Sequence, residues 1–279
     1  MTAILSVERF DFYGLCRAPE KLPHCIRGFQ GNYAEQGGLD VIRGLRPDMV
    51  VAIFKPQSPS VHGYVAGFAH AAKNLVDVLG GYTPEATFMV SSTRVFGEAN
   101  GGWVDEDSPL STNDPRALAI IEAELRLLEI GNTTVLRYGG LYGNPVSKRL
   151  DRIARGSIAP SWPIRYSNRL HRADSLGFLA HLMELRAAGA TLEPCYIGVD
   201  DEPAPVHVVE EWIAEEMGVP YSETAPVDHL ASHRRCSNAL LKRSGYRLMY
   251  PHYRAGYSAV LAARQERYRR VEALREARQ

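Results

Sequence analysis

The chain has 279 residues, and its Lys and Arg equal its Asp and Glu in number, so the formal charge is zero. That balance supplies no field to draw in a nucleic acid or an anionic membrane, which leaves a small-molecule substrate or a protein as the expected partner. The length suits one large α/β domain, or a domain with a smaller lobe.

In chain order, residues 3–7 and 12–16 read as the first two strands, with only Glu8 to Asp11 between them. Parallel neighbours need a crossover of a dozen or more residues, so these two cannot be an ordinary first parallel pair. Three readings stay open: an antiparallel hairpin, one long strand, or a sequence that skips a stretch between Val7 and Tyr13. Further on, Gly28-Phe-Gln-Gly-Asn-Tyr-Ala34 fits G-x-x-G-x-x-A, a spacing that lets bare backbone N–H groups meet phosphate. Its place in the chain favours a third strand and an ordinary loop.

Residues 49–54, 87–90 and 133–138 are short apolar runs rich in β-branched residues, the pattern of strands covered on both faces. Helical periodicity fills 64–79 and 115–130. The alternation predicts right-handed crossovers and a mostly parallel sheet with helices on both sides. Asp114 and Pro115 suit a helix start, and the spacing of Leu118, Ile121, Leu125 and Leu128 predicts the face that packs on the core. Helices are expected over 174–188, 206–217 and 255–279, with a strand at 195–199. The division expected is a Rossmann-type core over 1–143 and a smaller lobe over 144–279, from which strands can return to the main sheet.

The four cysteines lack C-x-x-C spacing, so no zinc site or disulfide framework is signalled and no metal is expected. A reduced, cytoplasmic chain follows as the expectation. The longest apolar stretch, 49–54, is far too short to span a bilayer.

Several motifs share one resemblance. Ser91-Ser-Thr-Arg-Val-Phe-Gly97, Trp103-Val-Asp-Glu-Asp-Ser-Pro109, Glu122-Ala-Glu124, Leu136-Arg-Tyr-Gly-Gly-Leu-Tyr-Gly143, Leu170-His-Arg-Ala-Asp174, Ser237-Asn-Ala-Leu-Leu241 and Gly245-Tyr-Arg-Leu-Met-Tyr-Pro251 together resemble the NAD-dependent epimerase/dehydratase branch of the short-chain dehydrogenases. The resemblance implies a doubly wound Rossmann-type fold, NAD or NADP as cofactor, and a homodimer through the helices at 64–79 and 115–130. It also implies a strand-end hydroxyl, here Ser92, and a Tyr/Lys pair four residues apart on the next helix. Arg116 and Ile120 stand at those two positions. Neither can relay a proton, since a guanidinium stays charged and isoleucine has no proton to give. An atypical branch of the superfamily shares this loss, and the chain resembles it more closely than it does the sugar epimerases.

By the same resemblance Arg17 stands where an NADP-type reader belongs, Asn32 where an adenine-reading Asp is common, and Lys55 on the loop toward the nicotinamide. The glycine-rich loop itself is missing from its place, so cofactor binding is expected to be weakened or lost. Asn168, Arg169, His171 and Arg172 fall where family members contact substrate. Arginines grip carboxylate or phosphate, and an imidazole can move a proton; alternatively, His171 and Asp174 orient the loop and cap the next helix. Tyr138 is the candidate to replace the lost acid, against simple packing, and Thr93 joins Ser92 near substrate, against plain backbone bonding. Two further readings remain, a non-catalytic dimerising or binding relative, and a non-redox lyase or isomerase built on Arg169, His171 and Arg172.

Overall fold

The structure, a computed structural model, describes residues 9–224 and 233–276. The segment expected as a strand at 3–7 lies outside the described residues. Strand β1 (Phe12–Cys16) begins only at Phe12, which excludes one long strand through this region. It runs parallel to β2 (Ile26–Gln30). The connection is short, with a single 3-10 turn at Pro19–Lys21, and it lies against the pair: a Cβ on Gly28 would stand 2.8 Å from Pro19. Gly28 is therefore a packing glycine inside a strand. After it the chain turns before the short α1 (Val41–Leu45), so Gly28 to Ala34 is an ordinary strand end and loop.

Next come β3 (Met49–Ala52), α2 (Val61–Tyr64), a π-helical stretch at Val65–His70, α3 (Ala71–Leu79) and β4 (Ala86–Ser92). They are followed by β5 (Trp103–Val104), α4 (Pro115–Leu128), β6 (Thr133–Tyr138) and β7 (Gly140–Tyr142). Beyond lie α5 (Lys148–Ala154), α6 (Arg172–Ala187), α7 (Val206–Glu216), α8 (Ala239–Arg243) and α9 (Tyr253–Glu276). The central sheet has the order Cys195–Gly198, β6, β4, β3, with every pair parallel. A strand from the second half of the chain thus completes the main sheet.

Strand alternation divides the interior into two cores. Met89, Val135 and Ile197 face α3 and α4, while Phe88, Leu136 and Tyr196 face α6 and α8. A third core joins α5, α7 and α9 through Leu150, Ile153, Val209, Ile213 and Tyr257. The pair β1 and β2 keeps the same parity: Leu15, like Val50, packs on the first core, and Phe12, like Met49 and Val51, on the second. It therefore prolongs the plane of the sheet. In the doubly wound order 3-2-1-4-5-6 these strands take the second, third and fourth places. Among the described residues no strand occupies the first place, between β1 and β3.

Helix α4 corrects the expected face. Ala117, Ile120, Ala123 and Leu127 are buried, and of the expected face only Ile121 packs against the first core, whereas Leu118, Leu125 and Leu128 are 42%, 57% and 36% exposed. The helix carries two apolar stripes, and periodicity alone does not say which one meets the sheet. Its buried side also carries a charge. Glu124 pairs with Arg137 of β6 at 2.8 Å, both almost wholly buried, and accepts the hydroxyl of Ser91 at the end of β4. Arg137 lies over the Phe96 ring and donates to the Glu106 carbonyl; the Glu106 carboxylate in turn accepts from the Ile197 amide at 2.8 Å. Burial opposes the Arg137 charge, but the hydrogen bond and charge of Glu124 outweigh it and hold the guanidinium more firmly protonated.

Removing one partner of such a pair strands a buried charge. Glu124→Ala should cost about 3–5 kcal/mol of unfolding free energy in urea. A loss under about 1 kcal/mol would show the pair to be no stronger than a surface bridge.

Candidate active-site edge

Parallel strands bring the residues after their C-terminal ends to one edge, the side on which open α/β sheets bind ligands. Arg17 follows β1 and is exposed. Asn32 follows β2, but its amide is turned into its own loop, donating to Glu35 at 2.6 Å and accepting from the Ala34 amide at 3.2 Å. The Lys55 side chain is exposed after β3, and its backbone N–H donates to the Tyr33 hydroxyl at 3.1 Å. The three expected cofactor residues thus share an edge, with Asn32 already engaged.

A dinucleotide also needs several free N–H groups at a helix start for its diphosphate. After β1 there is only the 3-10 turn, after β2 only the short α1, and at the start of α2 the Gly63 amide is taken by Ser60 Oγ at 3.0 Å. Among the described residues no run of free N–H groups after β1, β2 or β3 offers a diphosphate cradle.

At the end of β4, Ser92 Oγ accepts from the Arg94 amide at 3.2 Å and caps the turn at Thr93–Val95. The Thr93 carbonyl accepts from Arg234 at 2.6 Å. Asp114 caps α4 through the Arg116 amide at 2.9 Å and pairs with Arg94 at 3.0 Å. Arg116 stands on the first turn of α4, at the edge, while Ile120 is sealed in the first core.

Most of the side chains expected to contact substrate at 168–172 are engaged within the fold. Asn168 bridges backbone, donating to the Arg234 carbonyl at 3.1 Å and accepting from the Cys236 amide at 2.7 Å. Arg169 is 2% exposed, spends its two Nη groups on Ser167 and the Ala204 carbonyl, and lies over the Tyr253 ring. His171 caps α6 by accepting from the Ala173 amide at its Nδ1, which leaves the proton on Nε2. Burial holds its pKa below the usual imidazole range, against the pull of Asp174. Asp174 accepts from the Met249 and Tyr250 amides and the Tyr246 hydroxyl, fixing the 246–250 segment. Only Arg172 is exposed. Asn168, Arg169 and His171 each answer a separate backbone demand.

Tyr138 is engaged within the fold likewise. It is 4% exposed, its hydroxyl donates to the Ser175 carbonyl at 2.8 Å, and burial raises its pKa far above the phenol range. It is a core residue. Sequence reasoning missed the Glu124–Arg137 lock, the arginines Arg94 and Arg234, and Asp200. The signal for the lock was a carboxylate on the inward side of α4 opposite an arginine within an apolar strand. Among the described residues no group of His, Cys, Asp and Glu could hold a metal ion, and no helix is long and apolar enough to cross a membrane.

Helices on both faces of a parallel sheet, with an edge of strand-end hydroxyls, define a Rossmann-type α/β protein. No family model matches the sequence, and no curated protein matches it. Among solved structures, a protein classed as an NAD-dependent epimerase/dehydratase from Methylobacillus flagellatus is 31% identical, with 91% of this chain and 89% of that chain covered and a TM-score of 0.75. The chain belongs to the NAD-dependent epimerase/dehydratase family. The fold alone is shared with UDP-glucose 4-epimerase from Thermotoga maritima, solved with UDP-glucose (14% identity, 94% and 92% covered, TM-score 0.76). It is also shared with the human epimerase family protein SDR39U1, solved with NADPH (14% identity, 95% and 94% covered, TM-score 0.71).

Asp200, after the strand Cys195–Gly198, is 1% exposed, and its Oδ2 has no partner; nor do the nearby Arg169 Nε, Tyr142 hydroxyl and Tyr253 hydroxyl. Burial pushes the Asp200 carboxyl up to about 7 from 3.8, against the pull of Arg169. The folded protein then holds a proton that the unfolded chain releases, so this group's stability is present at low pH and lost as pH rises between 3.8 and about 7. Asp200→Asn should flatten that fall in urea-unfolding free energy; identical slopes in the two proteins would contradict the assignment.

Proposed function

We propose that this chain is an atypical NAD(P)-dependent epimerase/dehydratase-like protein that acts on or binds a small polar or anionic metabolite, with its cofactor binding weakened. The observation that carries this reading is the pair of positions on α4. Arg116 reaches the edge but cannot relay a proton, and Ile120 lies in the core, so the helix offers no Tyr/Lys relay. The absence of a diphosphate cradle among the described residues supports weakened binding of the dinucleotide, while Arg17 and Lys55 remain free to meet its charged groups. Ser92 keeps the place of the strand-end hydroxyl. If turnover survives, its proton is relayed by a group other than Arg116 or the buried Tyr138. The four free cysteines fit a reduced, cytoplasmic setting.

Fluorescence titration of the full chain with NADH and with NADPH tests this directly. Weak, unsaturated binding is expected up to millimolar cofactor; saturable micromolar affinity for either would overturn the claim of weakened binding.

A second reading, a dimerising and non-catalytic relative, is favoured by the exposed stripe Leu118, Leu125 and Leu128 on α4. A row of large apolar side chains in water calls for a cover, and a second copy of the same helix supplies one by two-fold symmetry. Light scattering should give a dimer that Leu125→Glu converts to monomer. A wild-type monomer at the same concentration would remove this reading.

A further inference from the structure

The position that lost the family's tyrosine has gained more than a blank. The guanidinium carbon of Arg116 lies 6.0 Å from the centre of the Tyr64 ring, and that of Arg94 lies 5.7 Å from the same ring. Two cations therefore share one aromatic support at the end of β4. Behind them Arg234, 5% exposed, is fixed by donating to the Thr93 carbonyl at 2.6 Å and the Glu98 carbonyl at 2.7 Å. Burial works against the charge on Arg234, and the neighbouring charge of Arg94 acts in the same direction.

The carboxylates nearby are too few and too busy to neutralise this group. Asp114 pairs with Arg94 at 3.0 Å while also capping α4. Glu98 accepts from the Asn100 and Gly102 amides and is held below the usual carboxylate range chiefly by those bonds. Three cations thus face two carboxylates. Arg116 has no ion pair or side-chain hydrogen bond to any described residue, and the Nε atoms of both Arg94 and Arg116 are buried without a partner. Buried N–H groups of a guanidinium left unmatched are costly, and a planar fork of this kind matches the oxygens of a carboxylate or phosphate.

We propose that Arg94 and Arg116, seated against Tyr64 and backed by Arg234, form an anion site at the end of β4 that takes the carboxylate or phosphate of a small metabolite. It rests on the reading that this sheet edge is the ligand side. Of the segment 168–172, Asn168 supports the site by donating to the Arg234 carbonyl, while Arg169 is committed to the interior. It gives the anionic class of ligand a specific receptor and gives the substitution at position 116 a chemical purpose: the family's proton relay has become a fixed positive grip. The aromatic ring offers both guanidiniums a cation–π support on one side, leaving their planar forks to make charge-assisted bonds.

The test is calorimetric titration of the full chain, without cofactor, using inorganic phosphate and, separately, malonate. Saturable binding of at least one is expected, and the preferred one distinguishes a phosphate from a carboxylate ligand. Arg116→Ala should weaken it about tenfold, the worth of one charge-assisted hydrogen bond. Arg116→Lys should recover part of the loss, because charge returns without the fork. Arg126→Ala, on the same helix but paired with Glu122, should bind as the wild type does. Circular dichroism checks that each variant is folded, and Arg116→Gln replaces the alanine variant if that one is not. No saturable heat with either anion, or equal weakening by Arg126→Ala, overturns the proposal. The outcome is independent of whether NADH or NADPH binds, so failure of this site and failure of the cofactor reading are told apart.

Discussion

The buried pair Glu124–Arg137 is the constraint on which the working edge depends. A carboxylate and a guanidinium taken out of water must satisfy each other closely or neither is tolerated. Here the pair joins α4 to β6, draws in Ser91 from β4, and through Glu106 reaches the strand Cys195–Gly198. The lock thus ties the helix to three strands that are already paired along the sheet. Ser92 follows Ser91 directly, and Arg116 lies on the same helix as Glu124, so the positions of the strand-end hydroxyl and of the helix start are both consequences of the lock.

Much of this arrangement was legible in the sequence, for physical reasons that also mark where legibility stops. Strands buried on both faces declare themselves as unbroken apolar runs, which is why β3, β4 and β6 were found, and Asp114 with Pro115 announced the start of α4. The inward face of α4 was not legible. With leucines on two stripes, the choice is made by what the sheet presents, and the sheet presents Arg137, which selects the side bearing Glu124. The same limit explains Arg169 and His171. A guanidinium and an imidazole near a substrate loop look like chemistry in one dimension, but Arg169 is needed to satisfy the Ala204 carbonyl and His171 to cap α6. Sequence spacing carries no record of which backbone groups will be left bare.

The two departures from the family pattern have different physical meanings. Loss of the tyrosine and lysine positions is local: Ile120 serves packing and Arg116 faces the edge, with the helix intact around them. The first place in the strand order is a matter of architecture: among the described residues, β1 and β2 meet the rest of the sheet through side chains of the two cores. A binding edge can keep its position while the first loss changes its chemistry. Arg17 after β1 depends on how firmly that pair of strands is held, whereas Arg94, Arg116 and Arg234 belong to the part secured by the lock. Anion recognition is thus expected to outlast dinucleotide recognition in this chain.

The central claim is that the family's catalytic helix start now holds a negatively charged ligand group. A crystal structure grown at the concentration of phosphate or malonate that half-saturates the protein in solution tests it most directly. The predicted result is density for the anion's oxygens within hydrogen-bond reach of both Arg94 and Arg116, with both guanidiniums against Tyr64. A guanidinium of Arg116 turned out into solvent, with the anion bound elsewhere, would contradict it.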